Sequence, residues 1–223
     1  QISDTISAKF SAQEAKNLQA YADLFFEQYP IHELSKHDIN DVIGMIKASY
    51  DFLTPFKQKR AKVKVFNPKI EEDGWTSKNT VVMMHYNDVP FIIDSVRMAL
   101  TNKGLSIKSI KNLMLGTRRD KKGDLLSFSS LDHANAQPDP ELNKELLIYI
   151  EVNRHRKSQD LTAMAASIRK TITDVNVVNN HYTHIVDSLQ DLRESVAVGK
   201  SHHANEEVNE ANQFIAWLMA KNF

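Results

Sequence analysis

The chain has 223 residues, 42% hydrophobic and 25% charged, with Lys plus Arg equal to Asp plus Glu at 28 each. That is enough apolar material for one large domain or two small ones, and the neutral balance excludes the basic excess that general nucleic-acid or membrane-surface binding requires. Cysteine is absent, which excludes disulfides, thiolate metal sites and cysteine nucleophiles and fits a cytoplasmic chain; no apolar run is long enough to span a membrane, and the start, Gln1-Ile2-Ser3-Asp4-Thr5, has no secretory-signal pattern.

Ser11 and Glu14 have capping-box spacing, and Ala15, Leu18, Ala22 and Phe25 behind them recur at helical intervals. Pro30 closes this helix. A second is predicted from Asp38, with Ile39, Val42, Ile43, Ile46, Tyr50 and Leu53 on one stripe and Pro55 as its stop. The pair forms an N-terminal helical hairpin.

From Lys62 to Phe66 the period changes to two, the mark of a half-buried strand. Glu71 to Gly74 is an acidic turn, followed by Trp75, which should pack on the sheet edge. Thr80 to Tyr86 reads as a strand. Asn87-Asp88-Val89-Pro90 is a turn and helix start, with Pro90 near the first helical position. Ile92, Ile93, Val96, Ala99 and Leu100 form the next helical stripe, which Lys103-Gly104 ends. A strand follows from Leu105 to Leu115, then a hairpin turn at Lys122-Gly123-Asp124 and a return strand from Leu125. Ser129 to Pro140 reads as a polar loop. Leu146 to Ile150 is wholly apolar and short, as in a strand buried on both faces.

Leu161, Met164, Ala165, Ile168 and Ile172 share a helical face behind Ser158. Asp174 to Val178 is a short stretch that the pattern permits as a weak strand. Tyr182, Ile185, Leu189, Leu192 and Val196 predict a further helix, Gly199 to Asn205 a linker, and Val208, Ala211, Ile215 and Leu218 a last helix. That helix reaches Lys221-Asn222-Phe223 with no stop signal and is expected to lead into a further segment, against which Trp217 would pack. The middle therefore reads as a ferredoxin-like βαββαβ core, with helices on one sheet face and the other face free to pair with a domain or subunit. The expected divisions are 1–60 helical, 61–180 α+β and 181–223 C-terminal helices.

An ordered set of segments carries a family resemblance: VKVFNP, EEDGW, TVVMMHYNDVPFIIDSVRMALTNKGLSI, GTRRDKKGDL and ELLIYIEVNR. Asp88, Pro90, Phe91, Asp94, Ser95 and Val96, then Gly104, Leu105 and Ile107, then Arg118, Arg119, Asp120, Gly123 and Leu125 resemble the N-terminal region of the large bacterial NAD-specific glutamate dehydrogenases. Val89 replaces the family's usual Met, and Lys111-Asn112 stands where a His-Pro pair is common. The loop from Ser129 to Asn143 is shorter and more polar than in some relatives.

The resemblance implies a very long cytoplasmic enzyme of amino-acid catabolism that oxidatively deaminates L-glutamate to 2-oxoglutarate with NAD. Its N-terminal portion would carry ACT-like domains, which bind amino acids or join subunits, and its catalytic domains would lie toward the C-terminus. Partners would be the rest of the same chain, further copies of it and an amino-acid effector. By resemblance the effector site is the turn of Asn87, Asp88, Val89, Pro90 and Phe91, with Ser95 on the first helical turn, where free N–H groups and the helix dipole receive a carboxylate. The bland alternative is that Asp88 caps the helix.

The residues themselves offer little chemistry. The chain has only six glycines and no G-x-G-x-x-G after a strand, so NAD is not expected to bind this segment. No P-loop or nucleophile elbow occurs. The basic turn of Arg118, Arg119, Lys121 and Lys122 is either an anion contact or a solvated hairpin tip; adjacent arginines on a strand point to opposite faces. His181 and His184 share a helical face but lack a third ligand, and His202-His203 falls in a linker. His85 reads as packed or paired. No catalytic or metal residue is assigned. The competing readings are a stand-alone ACT-like sensing or dimerisation module and, less compatible with the missing motifs, a self-contained enzyme.

Overall fold

The computed structural model describes residues 1–27, 37–57, 60–131, 141–198 and 205–220. The chain forms two compact units, Gln1–Thr173 and Asp174–Phe223. The stop at Pro30, the loop from residue 132 to 140, His202-His203 and the C-terminal residues 221–223 lie outside the described residues.

The first unit is built on an antiparallel sheet. Its strands are β1 (Lys62–Phe66), β2 (Thr80–Asn87), β3 (Ile107–Arg119), β4 (Leu125–Ser130) and β5 (Asn143–Val152), in the order β1-β2-β5-β3-β4. β2 and β5 are central and buried on both faces, with Val82 opposite Ile150 and Met84 opposite Ile148 on one side, and Met83 opposite Tyr149 on the other. Near-continuous apolar sequence is what such strands require.

On one face lie α1 (Ile2–Lys9), α2 (Ala12–Phe26) and α3 (Ile39–Phe52). Ile6, Leu18, Tyr21, Phe25 and Ile46 share a core with Val81, Met83, Leu113, Leu147 and Tyr149 of the sheet. Each such side chain contributes about 1.5–3 kcal/mol by leaving water. The face expected to be free is therefore covered, because the N-terminal helices need somewhere to bury their stripes and this sheet face is apolar. α1 was not predicted: it is short and buries only Ile6. Asp38 caps α3, accepting from Asn40 N at 2.8 Å. The Ser11 box does not form. Ser11 occupies the N-cap position without a side-chain hydrogen bond, and Glu14 turns instead to Lys47 at 3.4 Å.

The other face carries α5 (Ile92–Thr101), which buries Ile92, Val96 and Leu100, and the first part of α6 (Ser158–Val198), which buries Met164, Ala165, Ile168 and Ile172. Arg169 of α6 donates to Val63 O of β1 at 3.0 Å. Asp174–Val178 is not a strand but lies inside α6, which also absorbs the separate helix predicted from Tyr182. No Gly or Pro interrupts residues 158–198, so the helical ladder continues through the β-branched stretch. The sheet position beside β2, which the βαββαβ pattern assigns to that last strand, is filled by β1 from the opposite end of the sequence. The α+β, ACT-like class stands with this different source for its edge strand. In the second unit, α7 (Asn205–Met219) buries Ile215 and stacks Phe214 on Trp217. No described helix is long and apolar enough to cross a membrane.

The acidic turn is a single helical turn, α4 (Ile70–Asp73), ended by left-handed Gly74. Trp75 follows it into the core, 2% exposed, against α3. A Cβ at Gly44 of α3 would overlap the Trp75 side chain. In an ordinary helix Gly→Ala stabilises by about 1 kcal/mol; here the overlap reverses the sign. Gly44→Ala should lower the unfolding free energy by about 1–3 kcal/mol, measured by urea denaturation, and a gain in stability would refute this packing.

Candidate functional site

The predicted effector turn leaves the sheet at the end of β2. Asp88 N donates to Lys144 O at 3.0 Å, which ties the turn to the start of β5. Helix α5 begins only at Ile92, with Phe91 as its N-cap residue and no side chain capping it. Asp88 therefore does not cap the helix, and Pro90 precedes the helix instead of opening it. The reason is the backbone of Phe91, left-handed at φ 65, which inserts a turn before the helix can start. A non-glycine residue held there costs roughly 1–3 kcal/mol, and the Phe91 ring, 69% exposed, recovers little of it by burial. Ser95 N donates to Phe91 O at 3.0 Å and Ile92 N to Val89 O at 3.5 Å. The structure thus brings Val89, Phe91 and Ser95 together around the first turn, beside Met98, which is 61% exposed.

At this same end of the sheet, on the face covered by α1–α3, lies a buried charge cluster. His85 of β2 shares a 2.8 Å hydrogen bond from Nε2 with Glu145 Oε2 of β5. Arg119, at the end of β3, grips Glu145 through both Nε and Nη2, each at 2.7 Å. Its Nη1 donates to Gly123 O at 2.8 Å. Phe56 N donates to Gly123 O at 3.0 Å, and the Phe56 ring covers the His85 imidazole at 4.1 Å. Gly123 has φ 92, and a Cβ there would strike Phe56 O, so this latch requires glycine. Lys62 donates to Phe52 O at 2.6 Å and Pro55 O at 3.0 Å, satisfying carbonyls at the end of α3. Burial, with the Arg119 charge adding to it, pushes the Lys62 ammonium down to about 8.

Burial raises the Glu145 carboxyl, but the hydrogen bonds from Arg119 and His85 outweigh it and hold the group at about 2. Burial keeps His85 below its ordinary range, against the opposing pull of Glu145. The stable arrangement is a neutral imidazole donating from Nε2 to an ionised carboxylate. Both oxygens of Glu145 are engaged and the side chains of His85 and Glu145 are fully buried. His85 Nδ1 has no hydrogen-bond partner among the described residues but is sealed from solvent, out of reach of a substrate proton, so the cluster works as a latch joining β2, β3, β5 and the β3–β4 turn. His85 was read as packed or paired, and it is both, under Phe56 and on Glu145. Glu145 went unnoticed; its signal was an acid directly before the apolar run 146–150 of β5.

The two arginines of the basic turn do part company. Arg119 turns inward while Arg118, half-exposed, reaches Glu141 at 3.5 Å, and a bulge separates them. Asp120 Oδ1 accepts from Lys122 N at 2.8 Å and Asp124 N at 2.9 Å, which holds the hairpin tip. His181 and His184 stand on α6 with ring centroids 6.2 Å apart, and among the described residues no group of three His, Cys, Asp or Glu side chains could hold a metal ion.

An antiparallel sheet with the split βαβ order at its centre and α5 and α6 on one face defines an ACT-like α+β domain. Residues 21–168 match the family described as "Glutamate dehydrogenase, ACT1 domain", and the chain belongs to that family. It is 28% identical over 230 residues to the NAD-specific glutamate dehydrogenase of Halomonas elongata, a match covering 100% of this chain and 14% of that protein. It is 27% identical over 203 residues to the NAD-specific glutamate dehydrogenase of Pseudomonas aeruginosa, covering 91% of this chain and 12% of that protein. The chain thus spans only a small part of the length of these curated relatives.

The latch predicts an acid-sensitive fold. His85 and Glu145 both have folded values below their ordinary ones, 6.5 and 4.5, so the unfolded chain takes up protons first. Stability should fall as the pH drops below 6.5, and further from 4.5 toward 2. Glu145→Gln should cost about 3–5 kcal/mol at neutral pH by leaving Arg119 buried without its anion and should flatten the lower arm of the profile. Urea denaturation across this pH range checks both, and an unchanged acid arm in Glu145→Gln would contradict the assignment.

Proposed function

We propose that this chain is the non-catalytic N-terminal regulatory and assembly domain of a large NAD-dependent glutamate dehydrogenase. The whole enzyme would convert L-glutamate, NAD and water into 2-oxoglutarate, ammonium and NADH in the cytoplasm, as a homo-oligomer. The observation that carries this reading is the match of the entire chain to 14% of a dehydrogenase named for that activity. The absence of a glycine-rich dinucleotide fingerprint from the sequence supports placing NAD and the chemistry in the remaining domains.

The turn of Asn87, Asp88, Val89, Pro90 and Phe91, with Ser95, was a candidate effector site. Its exposed apolar surface favours a protein contact instead. Phe91 and Met98 are large, apolar and exposed on and beside α5, and a strained exposed ring is a feature that function, not stability, maintains. Its occupant in this reading is another domain of the same long chain.

The isolated chain mixed with glutamate and NAD should produce no NADH, whereas the full-length enzyme should; turnover by the isolated chain would refute the proposal. Phe91→Gly should stabilise the isolated chain by about 1 kcal/mol through release of the left-handed strain. In the full-length enzyme the same change should loosen assembly, read as a changed sedimentation profile or altered effector response. Wild-type assembly and regulation would remove the turn from this role.

A further inference from the structure

We infer that the distal part of α6 is a seam that pairs, antiparallel, with the same helix of a second copy of this chain. The inference rests on the homo-oligomer proposed above and gives that assembly a surface. Val178, Tyr182, Ile185, Leu189, Leu192 and Val196 follow one another at intervals of four, three, four, three and four residues. That is the 3.5-residue repeat of a coiled coil, with apolar residues alternating between positions d and a.

The seam lies wholly within the second unit, Asp174–Phe223, and is not covered there, although α7 belongs to the same unit. Val178, Tyr182, Ile185 and Leu192 are between 37% and 57% exposed, and Leu189 and Val196 are half-buried. Large apolar side chains left in water along one stripe mark a contact surface. Asp187, Asp191 and Glu194 fall at outward positions of the same repeat, so the acidic charge of this stretch is turned away from the seam.

A second copy fits because the spacing reads the same in both directions. Two such helices lying antiparallel about a two-fold axis at Asp187 place Val178 against Val196, Tyr182 against Leu192 and Ile185 against Leu189 of the other copy. The symmetry then repeats each layer on the far side of the axis. Beside the seam, Arg193 lies across from Asn179, His181 across from Ser195, and Ser188 across from its own copy, so no like charges meet. A different helix would be selected by complementary charges at these flanking positions, and they carry no acid and a single arginine. Parallel pairing is the poorer fit. It sets Tyr182 on Tyr182 and puts Leu189 at a with Ile185 at d, the reverse of the two-stranded preference. The seam spans about 27 Å at 1.5 Å per residue, short of a standard interface. Pairing is therefore weak in the isolated chain and gains from every further contact that a longer chain supplies.

The chain has no cysteine, so introduced thiols report pairing without background. Val178→Cys and Val196→Cys proteins are treated with a short bismaleimide linker, separately and as an equimolar mixture, while the unaltered chain is sedimented to equilibrium from about 1 µM to about 1 mM. We expect reversible association toward twice the monomer mass within that range. Cross-linked dimer should be at least tenfold more abundant in the mixture than in either variant alone, because like positions stand about 27 Å apart in the antiparallel pair. Ile185→Glu should weaken association at least tenfold, whereas Val177→Glu, similarly exposed but off the seam, should not. Circular dichroism checks that both remain helical, and the cross-linking comparison needs no disruptive variant. A chain still monomeric at about 1 mM would assign the seam to another segment of the longer protein and overturn the inference. So would association that Ile185→Glu leaves intact, or cross-linking in the separate variants and not in the mixture. No step measures turnover, so failure here leaves the dehydrogenase reading to its own assay.

Discussion

β2 is paired with β5 along its whole length, and both are buried on both faces. That pairing constrains everything else in the first unit. Side chains alternate along a strand, so a slip of one residue would exchange the two faces. If β5 slipped on β2, Tyr149 would leave the layer of α1–α3, and Ile150 would leave the layer of α5 and α6. The same slip would carry His85 away from Glu145, whose 2.8 Å contact exists only in this register. Burying a carboxylate without Arg119 and His85 would cost several kcal/mol. Apolar packing and the charge latch therefore specify one register from two independent directions.

The latch contributes specificity more than net stability. Buried ion pairs often break even against apolar replacements. What this one adds is a set of directional bonds that close only when β2, β3, β5 and the hairpin tip meet correctly. Phe56 and Gly123 complete it, so the chain between α3 and β1 is registered against the far side of the sheet.

Legibility in the sequence followed the range of each interaction. α3 and α5 were readable because their apolar periods are long and end near Pro55 and Gly104, and β2 and β5 because their apolar, β-forming runs are nearly continuous. α1 was not, since a single buried residue, Ile6, makes no period. Asp174–Val178 misled because β-branched residues in a short window resemble a strand, while the uninterrupted ladder of α6 is what decides them. The turn before α5 was found, but its capping was not, because nothing in Asp-Val-Pro-Phe announces a left-handed phenylalanine. The latch was beyond reach: Glu145 lies 60 residues from His85 and 26 from Arg119, and only the ladder joins them. Lys111 was noted as a departure from the family pattern, but its burial between Phe25 and Tyr149 depends on α2 lying over the sheet.

That β1, and not a segment after α6, completes the sheet beside β2 frees the last helix from a geometric duty. A crossover helix that must hand the chain back to a strand can be little longer than the sheet it crosses. α6 has no such return to make, and its 41 residues extend for about 60 Å at 1.5 Å per residue. Beyond Val175, the last described buried residue of the helix, whole turns added or removed would leave every ladder pair as it is. The length of this helix is therefore not set by the sheet, and whole turns can be gained or lost without the strand ladder having to change.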